Sequence, residues 1–170
     1  MQNKSELREW AKAERKKIDI TSVSKDIVIK LQNTEEYKNS KNVMIYYPLK
    51  YEINLLELFK DTTKNFYLPK IEDENLVCCP YSIGEPVRRS CFNTCEPLTD
   101  ACERSLIDLV IVPALAVDKK NYRLGYGGGF YDRFLSECRA YSIVCIPAKF
   151  VVNTVYPEAH DIPVTAVITV

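Results

Sequence analysis

Residues 106–134 read LIDLVIVPALAVDKKNYRLGYGGGFYDRF, and this stretch decides the fold. It begins with the most apolar run of the chain, Leu106–Val112, and ends with an apolar segment of helical spacing from Phe130. Between these two, residues 125–129 hold four of the five glycines. A continuous apolar run of this length is typical of a strand covered on both faces, as in parallel sheets. The stretch therefore predicts a buried strand, a glycine-rich loop and a helix, in that order.

The rest of the chain alternates helices and strands in the same way, which predicts an α/β fold. The expected sheet is open and largely parallel, flanked by helices on both faces. Thr21 or Ser22 is the expected N-cap of the second helix, and Pro69 and Pro80 are expected to close two strands. The polar residues 82–101 are predicted to form a long loop. Helices are predicted over about 5–17, 22–31, 54–60 and 130–139, and strands over 43–47, 65–68, 76–79, 106–112, 141–146 and 164–170.

Length and charge limit the class of protein. A length of 170 residues predicts a single domain over residues 1–170. The 23 basic and 23 acidic residues give a formal net charge of zero, which argues against nucleic acid as a partner. No apolar run approaches the roughly 18 residues of a membrane helix, and Met1–Lys17 has no apolar segment of a secretory signal. We therefore expect a cytoplasmic protein with no membrane partner.

The cysteines indicate reduced thiols rather than a disulfide framework. There are seven of them, an odd number, and Cys78 and Cys79 are adjacent. A zinc site built from Cys91, Cys95 and Cys102 is the less favoured alternative. Their spacing matches no standard zinc pattern, and the chain has one histidine.

The glycine-rich loop is the strongest candidate for a binding site, because ligands of open α/β sheets gather at the carboxyl ends of the strands. Glycines allow a ligand to approach the backbone closely, and the N–H groups of a helix beginning near Phe130 would face a phosphate. The spacing matches neither the dinucleotide fingerprint nor the Walker loop. Arg123 adds a cation. Asp132 is either a Mg²⁺ ligand or an acid that complements the helix dipole, and the two roles are compatible.

Other candidates carry a weaker signal. Lys4 and Arg8 lie one helical turn apart, and their pattern alone favours a solvated helix face. Glu52 is compatible with a capping acid. His160–Asp161 is compatible with a catalytic dyad, but a structural contact is favoured because no nucleophile accompanies it. The tyrosines at positions 46, 47 and 51 would suit a flat ring but are more often part of a core.

The segment from Arg123 to Arg133, preceded by Asp108–Pro113 and Asp118, resembles the 5-formyltetrahydrofolate cyclo-ligase family. The likeness extends over nearly the whole chain. The family-order features elsewhere are the Lys4 and Arg8 helix, Glu52, Glu96–Pro97 and His160–Asp161. The resemblance implies a NagB/RpiA/CoA-transferase-like version of the fold. It also implies ATP-dependent cyclisation of 5-formyltetrahydrofolate to 5,10-methenyltetrahydrofolate, with Mg²⁺ and with release of ADP and phosphate.

The resemblance also implies roles for individual residues, with Lys4 and Arg8 now expected to bind phosphates. Asp132 is the expected Mg²⁺ ligand, and the catalytic residues are expected to be Arg123, Tyr131 and Asp132. The expected ATP-binding residues are Lys4, Arg8, Arg123, Leu124, Gly125, Tyr126, Gly127, Gly128, Gly129, Phe130 and Tyr131. The expected folate-binding residues are Tyr47, Glu52, Tyr126, Gly127, Gly128, Gly129 and Phe130.

Two positions depart from the family pattern. Gly128 stands where many members carry lysine. Thr165 stands where the family often has a second metal carboxylate, so a second carboxylate ligand is expected here only if Asp161 takes that role. These departures keep open a non-catalytic nucleotide- or folate-binding protein. A related α/β enzyme acting on phosphosugars or coenzyme A esters is a further alternative, since a fold does not determine a function. In each case the expected partner is a small molecule and the expected state is a monomer or weak dimer.

Overall fold

A six-stranded sheet forms the centre of the protein. The structure, a computed structural model, describes residues 3–90 and 93–170. The strands lie in the order β11-β9-β6-β1-β2-β3, of which β3 alone runs antiparallel, at one edge. The bounds of these strands are Asn42–Met44 (β1), Asn65–Glu72 (β2), Asn75–Pro80 (β3), Leu109–Ile111 (β6), Tyr141–Ile146 (β9) and Ala166–Thr169 (β11).

Side chains of the central strands point alternately into two apolar cores, one on each face of the sheet. In β9, Ile143 and Cys145 enter the first core, whereas Val144 and Ile146 enter the second. Both sets are buried because helices cover both faces, as expected for parallel strands. The predicted α/β architecture with a largely parallel sheet is therefore confirmed.

Within the described residues, four α-helices accompany the sheet: α1 (Lys4–Arg15), α2 (Ile20–Gln32), α3 (Glu35–Asn39) and α4 (Phe130–Ser136). Residues of α2 pack in the first core, and residues of α1 and α4 pack in the second. Asp19 caps α2 by accepting hydrogen bonds from the backbone N–H groups of Thr21 and Ser22. The predicted caps, Thr21 and Ser22, are therefore wrong. The carboxylate of Asp19 satisfies two free N–H groups at once.

Several predicted boundaries are wrong for local reasons. β2 continues through Pro69 because this half of the strand lies beyond the end of β1, where a missing N–H breaks no ladder. The N-terminal part of the predicted 106–112 strand is a 3-10 turn, Arg104–Leu106, and Leu106 is exposed. The predicted helix over 54–60 is a 3-10 helix, Leu56–Lys60. Helix α4 ends at Ser136 rather than Arg139.

Two small sheets were not predicted. The expected loop over 82–101 contains an antiparallel ribbon of β4 (Val87–Arg89) and β5 (Cys95–Pro97). A three-stranded sheet follows the order β10-β7-β8. Its strands are β7 (Ala116–Asp118), β8 (Arg123–Leu124) and β10 (Val151–Val152).

The buried Arg15 fixes two turns at the carboxyl edge of the main sheet. Its guanidinium donates to the carbonyl oxygen of Ala114, which follows β6, and lies 3.5 Å from that of Tyr51, which follows β1. Its Nε has no hydrogen-bond partner within the described part of the chain. One side chain of α1 thus ties together the segments that carry the site.

Candidate active site

A cavity of about 1090 Å³ opens at the carboxyl ends of the parallel strands. Single-ligand pockets commonly measure about 300–1,000 Å³, so the volume of this cavity lies slightly above that range. All the site residues predicted from the sequence line it. They are Lys4, Arg8, Tyr47, Glu52, Arg123, Leu124, Gly125, Tyr126, Gly127, Gly128, Gly129, Phe130, Tyr131 and Asp132.

The glycine-rich loop, residues 125–129, forms one wall and leads into α4 at Phe130. Gly127 and Gly129 have φ values of +109° and +66°, in the region that side chains disfavour. Arg8 donates from Nε to the carbonyl oxygen of Gly125 at 2.9 Å, which joins α1 to the loop. The position of Gly128 admits no side chain without movement, because a Cβ there would lie 2.6 Å from the ring of Phe130.

Arg123 and Asp132 form a largely buried ion pair in the floor of the cavity. Arg123 Nη2 lies 2.9 Å from Asp132 Oδ1, and the same oxygen accepts the Ile162 N–H at 2.9 Å. The Arg123 side chain is 4% exposed, and that of Asp132 is 21% exposed. Burial lowers the pKa of Arg123 below its ordinary value, while the negative charge of Asp132 opposes that shift. The remaining Asp132 oxygen, Oδ2, has no hydrogen bond or ion pair among the contacts of the described residues.

Lys4 reaches from α1 to a carboxylate pair near the other end of the sequence. Its Nζ lies 2.7 Å from Asp161 and 2.9 Å from Glu158. Burial opposes the charge, but the hydrogen bonds to the two carboxylates outweigh it and raise the pKa of Lys4. The Lys4 side chain is 19% exposed, so the solvated-face interpretation of this position is wrong.

Glu52 lies in the opposite wall and is buried. One carboxylate oxygen accepts the backbone N–H of Leu49 at 2.8 Å, and the other accepts the hydroxyl of Tyr126 at 2.8 Å. Glu52 is therefore more than a capping acid, since its carboxylate faces the cavity and contacts the glycine-rich loop.

Tyr131 carries a buried hydroxyl with no hydrogen-bond partner among the described residues. Burial, reinforced by the charge of Glu52, raises the pKa of Tyr131 well above its ordinary value. The hydroxyl is thus a protonated donor held next to the cavity, and an unpaired buried donor is costly unless a ligand satisfies it.

Two expectations about metal binding change in the structure. Thr165 lies outside the cavity lining, at the amino-terminal side of β11, where its hydroxyl is 3.2 Å from that of Ser142. A side chain at this position therefore does not line the cavity. Asp161 lines the cavity instead, and it bonds to Lys4 rather than to His160, which is 3.7 Å away. His160 and Asp161 are therefore not hydrogen-bonded to each other as in a catalytic dyad, and a structural role of the pair stays a prediction.

The described residues contain no group of three or more His, Cys, Asp or Glu side chains placed to hold a metal ion. Cys91, one of the three cysteines of the zinc alternative, lies outside the described residues. The other six cysteines are free thiols. Within residues 3–90 and 93–170, no helix has the length and apolar character needed to cross a bilayer.

The β4–β5 ribbon contributes a wall that the sequence did not predict. Glu96 is buried there and accepts the N–H of Ile71 at 3.2 Å, so it holds the ribbon against the open edge of β2. The Glu96–Pro97 pair was the only available signal for this wall. Other lining residues that were not predicted as site residues include Leu49, Pro69, Ile71, Leu76, Thr94, Pro113, Tyr156 and Glu158.

Over residues 1–170, the sequence matches the 5-formyltetrahydrofolate cyclo-ligase family. The chain belongs to this family. The 5-formyltetrahydrofolate cyclo-ligase of Haemophilus influenzae is 29% identical over 143 residues, which cover 77% of this chain and 76% of that relative. The cyclo-ligase of Escherichia coli K12 is 31% identical over 124 residues, which cover 68% of each chain.

The fold is similar to that of a solved relative. The NMR structure of 5,10-methenyltetrahydrofolate synthetase from Aquifex aeolicus has a TM-score of 0.86 at 29% identity. The likeness covers 98% of this chain and 89% of that one. The family and the enzyme class predicted from the sequence are thereby confirmed. The roles of individual site residues stay predictions.

Proposed function

We propose that this cyclo-ligase family member converts 5-formyltetrahydrofolate to 5,10-methenyltetrahydrofolate and cleaves ATP to ADP and phosphate. One observation carries the proposal: a single cavity joins a glycine-rich loop and three cations to the buried carboxylate of Glu52. The loop and cations suit a triphosphate, and the carboxylate suits a ring with N–H donors. The family and the names of its relatives support the same activity.

The reaction requires activation of a poor leaving group. The formyl oxygen of the substrate becomes a leaving group when it accepts the γ-phosphoryl group of ATP, which gives an iminium phosphate. ADP is released in this transfer. N10 of the folate then attacks the formyl carbon and gives up its proton to solvent, and the bond from that carbon to the former formyl oxygen breaks, so that phosphate departs with the oxygen and the ring is closed. No protein nucleophile is needed, so the protein contributes mainly positioning and neutralisation of charge.

We assign the triphosphate to the glycine-rich loop together with Lys4 and Arg8. Arg8 is already joined to the loop at Gly125, so its charge is fixed where phosphate oxygens would approach. Lys4 is held by Asp161 and Glu158. Phosphate oxygens would compete with these carboxylates for Lys4. With no lysine at position 128, the neutralising charge comes from residues outside the loop.

Asp132 and Asp161 are the residues best suited to hold Mg²⁺. Both line the cavity with hard carboxylate oxygens, and proteins usually bind Mg²⁺ through one or two carboxylates together with substrate phosphates. When bound, Mg²⁺ would neutralise charge that develops on the phosphate oxygens. Arg123 keeps Asp132 in position from below the cavity floor.

We assign the folate to the wall opposite the loop. Glu52 would accept N–H groups of the pterin, and Tyr47 and Phe130 would border the ring. Tyr131 would donate its unpaired hydroxyl to an oxygen of the reacting groups, which would remove the cost of leaving it unsatisfied.

Four further expectations also stay predictions. They are a NagB/RpiA/CoA-transferase-like superfamily, a single domain over residues 1–170, a cytoplasmic location and a monomeric or weakly dimeric state.

The test is an absorbance assay for the methenyl product with purified protein, Mg²⁺ and 5-formyltetrahydrofolate. Product should form when ATP is present and should not form without it. Binding of ATP and folate without turnover would indicate a non-catalytic binding protein instead. Arg8→Ala should raise the KM for ATP, while Lys12→Ala, an exposed cation on the same helix, should leave it unchanged. Equal effects of the two variants would remove Arg8 from the nucleotide site.

A further inference from the structure

Tyr126, in the middle of the glycine-rich loop, is held across the mouth of the cavity by a single polar contact. The residue is 48% exposed, yet its hydroxyl donates to Glu52 Oε1 at 2.8 Å. The other oxygen of that carboxylate is occupied by the Leu49 N–H. Both oxygens of the proposed folate-binding carboxylate are therefore hydrogen-bonded to the chain itself.

We propose that Tyr126 controls access to the folate site, because its hydroxyl takes up one acceptor site on Glu52, and a pterin edge that pairs its N–H groups with both oxygens of this carboxylate needs that site. The inference rests on the proposed function. In it, the pterin and Tyr126 are alternative donors to one acceptor, so folate binds when the Tyr126 side chain has moved away. Glu52 itself stays in place, since it is buried and the Leu49 N–H retains its second oxygen.

The movement concerns the Tyr126 side chain, since the loop backbone is fastened by Arg8 at the carbonyl oxygen of Gly125 and by Arg133 at that of Gly128. A Cβ placed on Gly125 would meet no atom within 4 Å, and Gly127 has a φ of +109°. Neither neighbour has a side chain that would have to be displaced. Because much of Tyr126 is already exposed, moving its side chain away from Glu52 breaks mainly one hydrogen bond.

The hydroxyl of Tyr126 keeps its proton near neutral pH and so can always donate to Glu52. Burial of the hydroxyl, reinforced by the charge of Glu52, raises the pKa of Tyr126 well above its ordinary value. The phenol therefore remains a donor throughout the neutral range. Control of access by Tyr126 should accordingly not depend on pH near neutrality.

In this arrangement, the apparent Kd for folate is the intrinsic Kd divided by the fraction of molecules in which Tyr126 is released from Glu52. Tyr126→Phe removes the hydroxyl and keeps the ring. Since one hydrogen bond to a charged acceptor is lost from the closed form only, the Kd for 5-formyltetrahydrofolate should fall by roughly 10- to 100-fold. The association rate constant for folate should rise by a similar factor.

The experiment uses isothermal titration and stopped-flow mixing with 5-formyltetrahydrofolate on the wild type, Tyr126→Phe and Tyr37→Phe. Tyr37 is a matched control because its hydroxyl also bonds to a carboxylate, Asp61, at 3.1 Å and outside the cavity lining. Tighter binding and faster association by Tyr126→Phe alone would support the proposal. Unchanged or weaker binding by Tyr126→Phe would overturn it, as would the same gain in Tyr37→Phe.

The wild-type titration separates this inference from the proposed function. If the wild type fails to bind 5-formyltetrahydrofolate, the proposed function is contradicted and the role of Tyr126 falls with it. If the wild type binds and turns over the substrate but Tyr126→Phe binds no better, the function stands and the role of Tyr126 alone is rejected.

Discussion

Replacing Asp132 with asparagine separates its structural role from its proposed metal-binding role. Asp132 Oδ1 accepts hydrogen bonds from Arg123 and from the Ile162 N–H, both at 2.9 Å. Asparagine has an oxygen at the same place, so both hydrogen bonds can persist. The substitution removes the negative charge that faces a cation whose side chain is only 4% exposed.

The cost follows from the difference between charged and neutral hydrogen bonds. A hydrogen bond to a charged group contributes about 1.5–3 kcal/mol and a neutral one about 0.5–1.5 kcal/mol. Asp132→Asn should therefore lower the free energy of unfolding by about 1–2 kcal/mol, or the Tm by roughly 2–8 °C for a chain of this size. Asp132→Ala also removes the shared acceptor and should cost about 3–5 kcal/mol.

The assay combines urea unfolding with turnover at saturating ATP, folate and Mg²⁺. Because Asp132→Asn keeps the fold but weakens a proposed metal ligand, kcat should fall about 100-fold or more. Glu137→Gln is the control, since it neutralises one partner of an exposed pair with Arg104 and should change neither quantity much. Unchanged stability in Asp132→Asn would refute the importance of the ion pair, and unchanged turnover would remove Asp132 from the metal site.

Three further predictions concern pH, space and the buried arginine. Because Lys4 lowers the pKa of Asp161, this pair stabilises the fold fully above about pH 4 and loses its effect as the pH falls further. Lys4→Met should therefore reduce the loss of unfolding free energy at acid pH, measured by urea unfolding at a series of pH values. Gly128→Ala would place a Cβ 2.6 Å from the Phe130 ring. It should therefore lower the free energy of unfolding, measured by thermal unfolding, by about 1–3 kcal/mol and raise the KM for folate. An unchanged KM for folate would indicate that the Phe130 ring does not border the folate. Arg15→Met should lower the free energy of urea unfolding by about 2–4 kcal/mol by freeing carbonyl groups of two turns, and a neutral effect would contradict their dependence on the guanidinium.

Sequence patterns predicted the strands whose environment is uniform along their length. Strand β9, Tyr141–Ile146, was predicted with the bounds that the structure has, because helices cover both of its faces and every position is apolar or small. The predictions failed where tertiary context decides. Pro69 is tolerated because its half of β2 has no partner in β1, and the β4–β5 ribbon is held partly by the side chain of Glu96.

The candidate site was predictable in its members but not in its contacts. The glycine-rich loop can be identified from its clustered glycines alone, and the family resemblance added Glu52, Lys4 and Arg8. Nothing in the sequence indicated that Lys4 would bond to Asp161, which is 157 positions away, or that Tyr126 would bond to Glu52. Likewise, Thr165 lies near Asp161 in sequence, yet it belongs to the amino-terminal side of a strand and so misses the cavity.

The long-range contact between Lys4 and Asp161 bears on biosynthesis. During synthesis, Lys4 leaves the ribosome 157 positions ahead of Asp161, so this carboxylate partner does not yet exist when helix α1 appears. A nascent chain interrupted before residue 161 would therefore carry the glycine-rich loop without the anchor for Lys4. The cavity can be completed only after residue 161 has been translated.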